Sequence, residues 1–333
     1  MSVVKKTLLI LLACAAVLFV AVSFLAYKPV PEDITYGISF NTLYAEELGL
    51  NPRVVYDAFL DDLGVRHLRL AAHWDMVEPE DGLYDFSALD YQLKRAEEVG
   101  AEVILGVGRR LPRWPECHEP IWAKLLPREE QDGELLEYIE TVVTRYKGNP
   151  SIAYWQVENE PYLSLFGGEH CDELDEDFLR EEIALVRSLD NTRPIILTDS
   201  GNLGTWFGAY KEGDVFGTSV YVYFWTPELG QFKTILPAWF YRLKEGVVEL
   251  FYGKKQTFLI ELSAEPWLTN PVVETDIETQ YTRMNPKKFE EIIEYAKDTR
   301  YSRQYLWGGE WWFWLREQGR PEMWERGRAL YVK

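Results

Sequence analysis

Ile152-Ala153-Tyr154-Trp155-Gln156-Val157 runs without a break into Glu158-Asn159-Glu160-Pro161. A short aromatic and β-branched run of this kind reads as a buried strand, and a following proline cannot extend it. The strand therefore ends on two carboxylates and an amide. Thr257-Phe258-Leu259-Ile260 repeats the pattern and ends at Glu261. An ionisable group closing four strand positions is costly unless it is paired or working. Further short runs begin near Thr35, His67, Glu102, Pro194, Val215 and Gln304. Helical patterns lie between them at about 44–63, 87–100, 129–147, 175–189, 237–252 and 286–299, with a last one near 321–330 and a weak one in 203–212. Gly64 and Gly100 supply turns before the second and third strands. Alternation of strand and helix implies a parallel sheet, and eight repeats imply a closed barrel. An open doubly wound sheet would want a Gly-rich phosphate loop after the first strand, and none is present there. The expected fold class is α/β, a (β/α)8 TIM barrel spanning 34–333 as one catalytic domain.

The first 26 residues read differently. Lys5 and Lys6 precede an uncharged apolar run, Thr7 to Ala26. At ~1.5 Å per residue such a run spans ~30 Å, the hydrocarbon thickness of a bilayer. Residues 1–26 are therefore expected to form a transmembrane signal anchor, with 27–33 as a linker and the rest outside the cytoplasm. The rival is a cleaved signal peptide, for which Ala21-Val22-Ser23 offers small residues. The formal net charge of −19 argues against nucleic acid, which needs concentrated Lys and Arg. Thirteen Trp and twenty Tyr suit the apolar faces of sugar rings, so the expected partner is an oligo- or polysaccharide bound by a monomeric domain. Of the three cysteines, Cys117 and Cys171 fall in the exported part, in polar segments after strands, where two thiols would pair as a disulfide.

In such barrels catalytic groups sit where strands end and their loops begin. Glu160 and Glu261 meet that rule on the fourth and seventh strands. Two carboxylates across one sugar suit glycoside hydrolysis, in which one gives a proton and the other attacks; retention needs them ~5–5.5 Å apart. Repulsion between them would raise the pKa of the acid.

These stretches resemble glycoside hydrolase clan A, with a cellulase-like, family 5-like but atypical pattern. Trp155-Gln156-Val157-Glu158-Asn159-Glu160-Pro161 is similar to the clan's Asn-Glu-Pro signature, and Ile260-Glu261-Leu262 to its nucleophile strand. The resemblance implies Glu160 as acid/base, Glu261 as nucleophile, and Asn159 on the sugar 2-hydroxyl. It likewise implies Arg69 as support for the nucleophile, Tyr221 as its hydrogen-bond donor and Trp307 as an aromatic platform. Trp74 to Asp90 resembles the clan's second-strand loop and helix start. One departure is Ser219-Val220-Tyr221, where family 5 members often carry His-x-Tyr. No metal or organic cofactor is implied.

Each residue has a duller reading. Glu158 precedes the acid on the other side of an extended chain, which suits a structural role. Glu265 rivals Glu261 but follows the strand less directly, so it is expected to line a sugar subsite. His73 and Trp74 end the second strand and are expected to touch substrate. Arg109 and Arg110 follow the third, and one of them would simply bridge acidic loops. Among Trp307, Glu310, Trp311, Trp312 and Trp314, strand alternation selects Trp307 for the sugar. His118 and His170 are too isolated for a metal site. The expected activity is retaining hydrolysis of β-linked glycans. The alternatives are a transglycosylase using the same residues and a catalytically silent glycan-binding barrel.

Overall fold

The computed structural model describes residues 3–113, 116–163, 171, 175–226 and 228–332. Ten strands occur in it: β1 Thr35–Ser39, β2 His67–Ala71, β3 Glu102–Val107, β4 Ile152–Val157, β5 Ile195–Asp199, β6 Val215–Val220, β7 Tyr223–Thr226, β8 Gly230–Lys233, β9 Thr257–Ser263 and β10 Arg303–Trp307. Eight of them close a barrel in the order β1-β10-β9-β6-β5-β4-β3-β2, every pairing parallel. The expected (β/α)8 barrel is the observed fold. β9 is thus the seventh barrel strand and β10 the eighth.

Apolar side chains divide between two layers. Leu68, Leu70, Val103, Leu105, Leu259 and Leu262 join the layer shared with the helices, while Ile104, Ile196, Val215, Phe258, Ile260 and Tyr305 pack together in a second cluster inside the barrel. Polar side chains lie above the inner cluster: Arg69, Gln156, Thr198, Ser219 and Glu261 are all buried. β9 carries one residue more than its neighbours. Thr218 pairs with Leu259 but Ser219 with Glu261, and the register against β10 shifts over the same stretch. This is a β-bulge, a device that re-aims a side chain. It lets Ile260 and Glu261 both face the interior between the outward Leu259 and Leu262.

Several segments depart from the periodicity. The helix expected over 44–63 is two, Thr42–Glu47 and Pro52–Asp61, because Asn41 and Asn51 each cap a new start and Pro52 cannot lie mid-helix. The residues after β10 form the helix Gly309–Glu317 in place of extended chain. Gly308 turns into it at φ 103°, and a Cβ there would meet Glu265 Cβ at 2.6 Å. Helical spacing then buries Trp311 and Trp312 completely. β7 and β8 form an antiparallel hairpin after β6 that was not expected.

Val3–Ala26 is one helix. The membrane-spanning role expected for it is not supported, since among the described residues no helix is long and apolar enough to cross a membrane. Its end instead packs on the helix Trp239–Tyr252, where Gly246 has no Cβ to clash with the Leu25 carbonyl. Lys28 then pairs with Glu249 at 2.5 Å.

Candidate active site

The rim is organised by one guanidinium. Arg69, on β2 and only 2 % exposed, donates from Nε to Gln156 Oε1 at 2.8 Å. Its Nη1 donates to Glu261 Oε1 at 2.8 Å and its Nη2 to Asn159 Oδ1 at 2.6 Å. A planar fork with donors in fixed directions thus locks β2, β4 and β9 to one another. The second oxygen of Glu261 accepts from Tyr221 OH at 3.1 Å. Both oxygens of that carboxylate are therefore held, and its orientation is determined.

Glu160 is reached by an unusual path. Glu158 and Glu160 both adopt left-handed backbone, φ 57° and 44°, which costs a non-glycine residue on the order of 1 kcal/mol or more. Bonds from four directions hold this conformation. Glu158 N donates to Val107 O at 3.0 Å, and the Glu158 carboxylate accepts from Arg109 N at 2.9 Å and Arg110 N at 2.6 Å. Asn159 N donates to Arg110 O at 2.6 Å, and Glu160 N to Thr198 Oγ1 at 2.7 Å. Gly108, at φ 126°, makes room, since a Cβ there would meet Glu158 Oε1 at 2.5 Å. The turn points Glu158 into the loop after β3 and leaves Glu160 Oε1 buried with no hydrogen-bond partner. Burial first, then the negative charges of Glu261 and Glu116, push the Glu160 carboxyl well above the usual range. The surroundings of Glu160 therefore favour its protonated form.

The other residues singled out in the sequence are distributed around this centre. The Trp307 and Trp267 rings both lie against Tyr221, at centroid distances of 6.2 and 5.5 Å. Glu265 accepts from Arg113 Nη1 at 2.7 Å, and its pKa is raised by burial against the opposing pull of Arg113. His73 is buried, lies 3.9 Å from the His118 ring and has Nε2 3.3 Å from Pro112 O. Burial, then the neighbouring His118, lowers its pKa to about 3, so its ring is neutral. Trp74 is fully enclosed, stacked on Tyr138 with its Nε1 donating to Glu78 at 2.9 Å. Cys117 and Cys171 are joined in a disulfide with a Cα–Cα distance of 5.4 Å. His170 lies outside the described residues. Among the described residues no group of three or more His, Cys, Asp or Glu is arranged to hold a metal ion.

Sequence reasoning missed Gln156, Thr198, Glu116 and Arg113. Gln156 and Thr198 each lie two positions after a residue of the inner layer, Tyr154 and Ile196, so strand period could have found them. Glu116 and Arg113 sit in an irregular loop, at φ 67° and 106°, and carry no periodic signal. Glu310 was noted only as one of a cluster. It accepts from Asn41 N at 2.6 Å, and burial raises its pKa to about 7.

Comparison with known proteins finds barrels of the same fold. The model of the family described as Beta-galactosidase, glycoside hydrolase family 42, matches residues 58–123, the stretch holding β2 and β3. A beta-galactosidase of Halorubrum lacusprofundi is 26% identical over 125 residues, 31% of this chain and 17% of the relative. A beta-galactosidase of Lactobacillus acidophilus is 24% identical over 138 residues, 35% of this chain and 20% of the relative. The matched stretch is thus about a fifth or less of those relatives' own length. Among solved structures, a Streptomyces cattleya GH5_18 protein aligns with TM-score 0.57 and 13% identity, covering 83% of this chain and 70% of the other. A Rahnella beta-galactosidase aligns at 0.55 with 12% identity over 92% and 56% of the two chains, and a Rhodococcus endo-glycoceramidase II at 0.53 with 15% over 83% and 73%. These findings point to the (β/α)8 barrels of glycoside hydrolase clan A. Within the clan, the sequence match falls on family 42 rather than on the family 5 that the motifs resemble.

Proposed function

We propose that the protein is a retaining hydrolase of β-linked glycans. Glu261 attacks the anomeric carbon while Glu160 gives its proton to the leaving oxygen. A covalent glycosyl-enzyme forms at Glu261. Glu160, now ionised, takes a proton from water, which attacks the same carbon and releases the sugar with its configuration retained. When the Glu261 charge is consumed in the ester, one cause of the raised Glu160 pKa disappears, so the same group can serve first as acid and then as base. Asn159 is the natural partner of the 2-hydroxyl, with its Nδ2 buried and unpaired beside Arg69.

The observation that carries the proposal is the Arg69 fork, which holds Glu261 and the neighbour of Glu160 with one group. A silent glycan-binding barrel has no use for a carboxyl kept protonated beside an oriented carboxylate. The Cys117–Cys171 bond supports an extracytoplasmic setting, because such bonds persist in oxidising compartments. β-Galactosides are the first substrates to try, since the partial relatives carry that name.

The test is a panel of aryl β-glycosides and polysaccharides, with mass-spectrometric capture of a 2-fluoro-sugar. The label is expected on Glu261, and Glu160→Gln and Glu261→Gln are each expected to lose on the order of 10²–10⁴ in rate. Activity that survives both substitutions rules out the mechanism. Product mixtures rich in new glycosides would instead indicate transfer to a sugar in place of water.

A further inference from the structure

The loop after β3 carries a residue that grips the acid/base turn on both sides. Arg110 N donates to Glu158 Oε2 at 2.6 Å, and Arg110 O accepts from Asn159 N at 2.6 Å. Its side chain reaches past the acid, Nη1 donating to Leu163 O at 2.8 Å, while Leu163 N donates to Glu160 O at 2.9 Å. The Nε of the same guanidinium donates to Glu116 Oε2 at 2.9 Å. Glu116 is itself fixed: Leu111 N donates to its carbonyl at 2.9 Å, and the next residue, Cys117, is tied to Cys171 beyond the acid/base turn. An arginine that bonds residues 158, 159 and 163 leaves residue 160 little freedom to move.

We propose that Arg110 and Glu116 form a positioning pair for Glu160, with Glu116 acting as a third carboxylate that sets the pH range over which the acid keeps its proton. This rests on the reading of Glu160 as acid/base. The groups facing Glu160 come from every side of the rim. They are Glu261 from β9, Arg69 from β2, Arg110 and Glu116 from the loop after β3, Asp199 and Ser219 from β5 and β6, Tyr221, and Lys244 from the helix Trp239–Tyr252. Among them Glu116 stands second only to Glu261 as a source of negative charge acting on Glu160. Burial favours the neutral form of Glu116, and the adjacent Arg110 favours the charged form. Burial prevails and raises the Glu116 pKa, so the guanidinium that holds the turn also opposes the loss of charge on the third carboxylate.

The experiment is the pH profile of kcat/KM for Glu116→Gln, on a glycoside that the parent cleaves, with thermal melting as the control for folding. Removing a negative charge lowers the proton affinity of Glu160, so the alkaline limb moves to lower pH. The expected shift is about half to one pH unit, the ordinary size of such perturbations in folded proteins. Glu116→Ala removes the same charge and is read in the same way if the Gln variant does not fold. Arg110→Lys keeps the positive charge but loses the fork; it lowers kcat about 10–100-fold and leaves KM within about twofold. An alkaline limb that stays in place in a folded Glu116 variant overturns the proposal. Glu160→Gln separates the two ideas. If that variant still cleaves substrates with poor leaving groups, the acid/base reading has failed. If it is inactive while the Glu116 limb stays in place, only the positioning pair has failed.

Discussion

Arg69→Met tests the arrangement of the rim without a substrate. Methionine has a comparable reach but no charge, so it removes three hydrogen bonds at 2.8, 2.8 and 2.6 Å from a side chain that is 2 % exposed. The partners do not suffer equally. The Gln156 amide still donates to Glu158 O at 2.8 Å, and Asn159 Oδ1 still lies 3.3 Å from Thr198 Oγ1. Glu261, whose side chain is 8 % exposed, keeps only the 3.1 Å bond from Tyr221. Breaking a buried ion pair by removing one partner costs about 3–5 kcal/mol. At about 1.5 °C per kcal/mol for a chain of this length, the melting temperature should fall by roughly 4–8 °C at pH 7. The assay is calorimetric or circular-dichroism melting of Arg69→Met, Glu261→Gln and the double variant. Because the cost is that of a stranded charge, the double variant should recover about 1–3 kcal/mol relative to the sum of the singles. Additive effects, or a loss under about 1 kcal/mol for Arg69→Met, would refute the pairing and the geometry built on it.

Other outcomes follow from the same contacts. Glu310 has a folded pKa of about 7 against an ordinary 4.5, so the folded protein holds a proton that the unfolded chain releases. Stability should therefore fall as pH rises from about 4.5 to 7, by about 3 kcal/mol, and Glu310→Gln should flatten that part of the melting-temperature profile. Glu160, raised in the same direction by burial and by Glu261, should make Glu160→Gln more stable than the parent at pH 7 but not at pH 4. Equal melting shifts at both pH values would contradict this. The Cys117–Cys171 bond closes a separation of 54 residues, for which chain entropy gives about 4 kcal/mol. Cys117→Ser/Cys171→Ser should lower the denaturation midpoint accordingly, and reductant should then have no further effect on that variant.

What could be read from residues alone was the alternation of elements and the strand ends. Strands are short, apolar and separated by amphipathic helices, so their number and parallel order follow from periodicity and chain reach. Glu160 and Glu261 were legible because an apolar strand run leads into each, with Glu160 three residues past the end of β4 and Glu261 within β9, where a charge is expensive. Cys117 and Cys171 were legible because two thiols in a domain expected to lie outside the cytoplasm tend to pair. Local pattern failed where local signals compete. Trp311 and Trp312 alternate no better as strand than as helix until Gly308 starts the turn, and Pro52 divides a stretch whose apolar spacing is continuous.

Tertiary structure alone decided how the charges meet. Strict alternation from Phe258 and Ile260 would have sent Glu261 out toward the helices, and only the bulge against β6 and β10 turns it inward. The proton on Glu160 depends on Glu261 and Glu116, which lie 101 and 44 positions away in the chain. A bulge arises from the register of three strands at once, and a pKa shift from burial and charges supplied by distant segments. Neither quantity exists until the barrel has closed, whereas the period of a strand is written in its own residues.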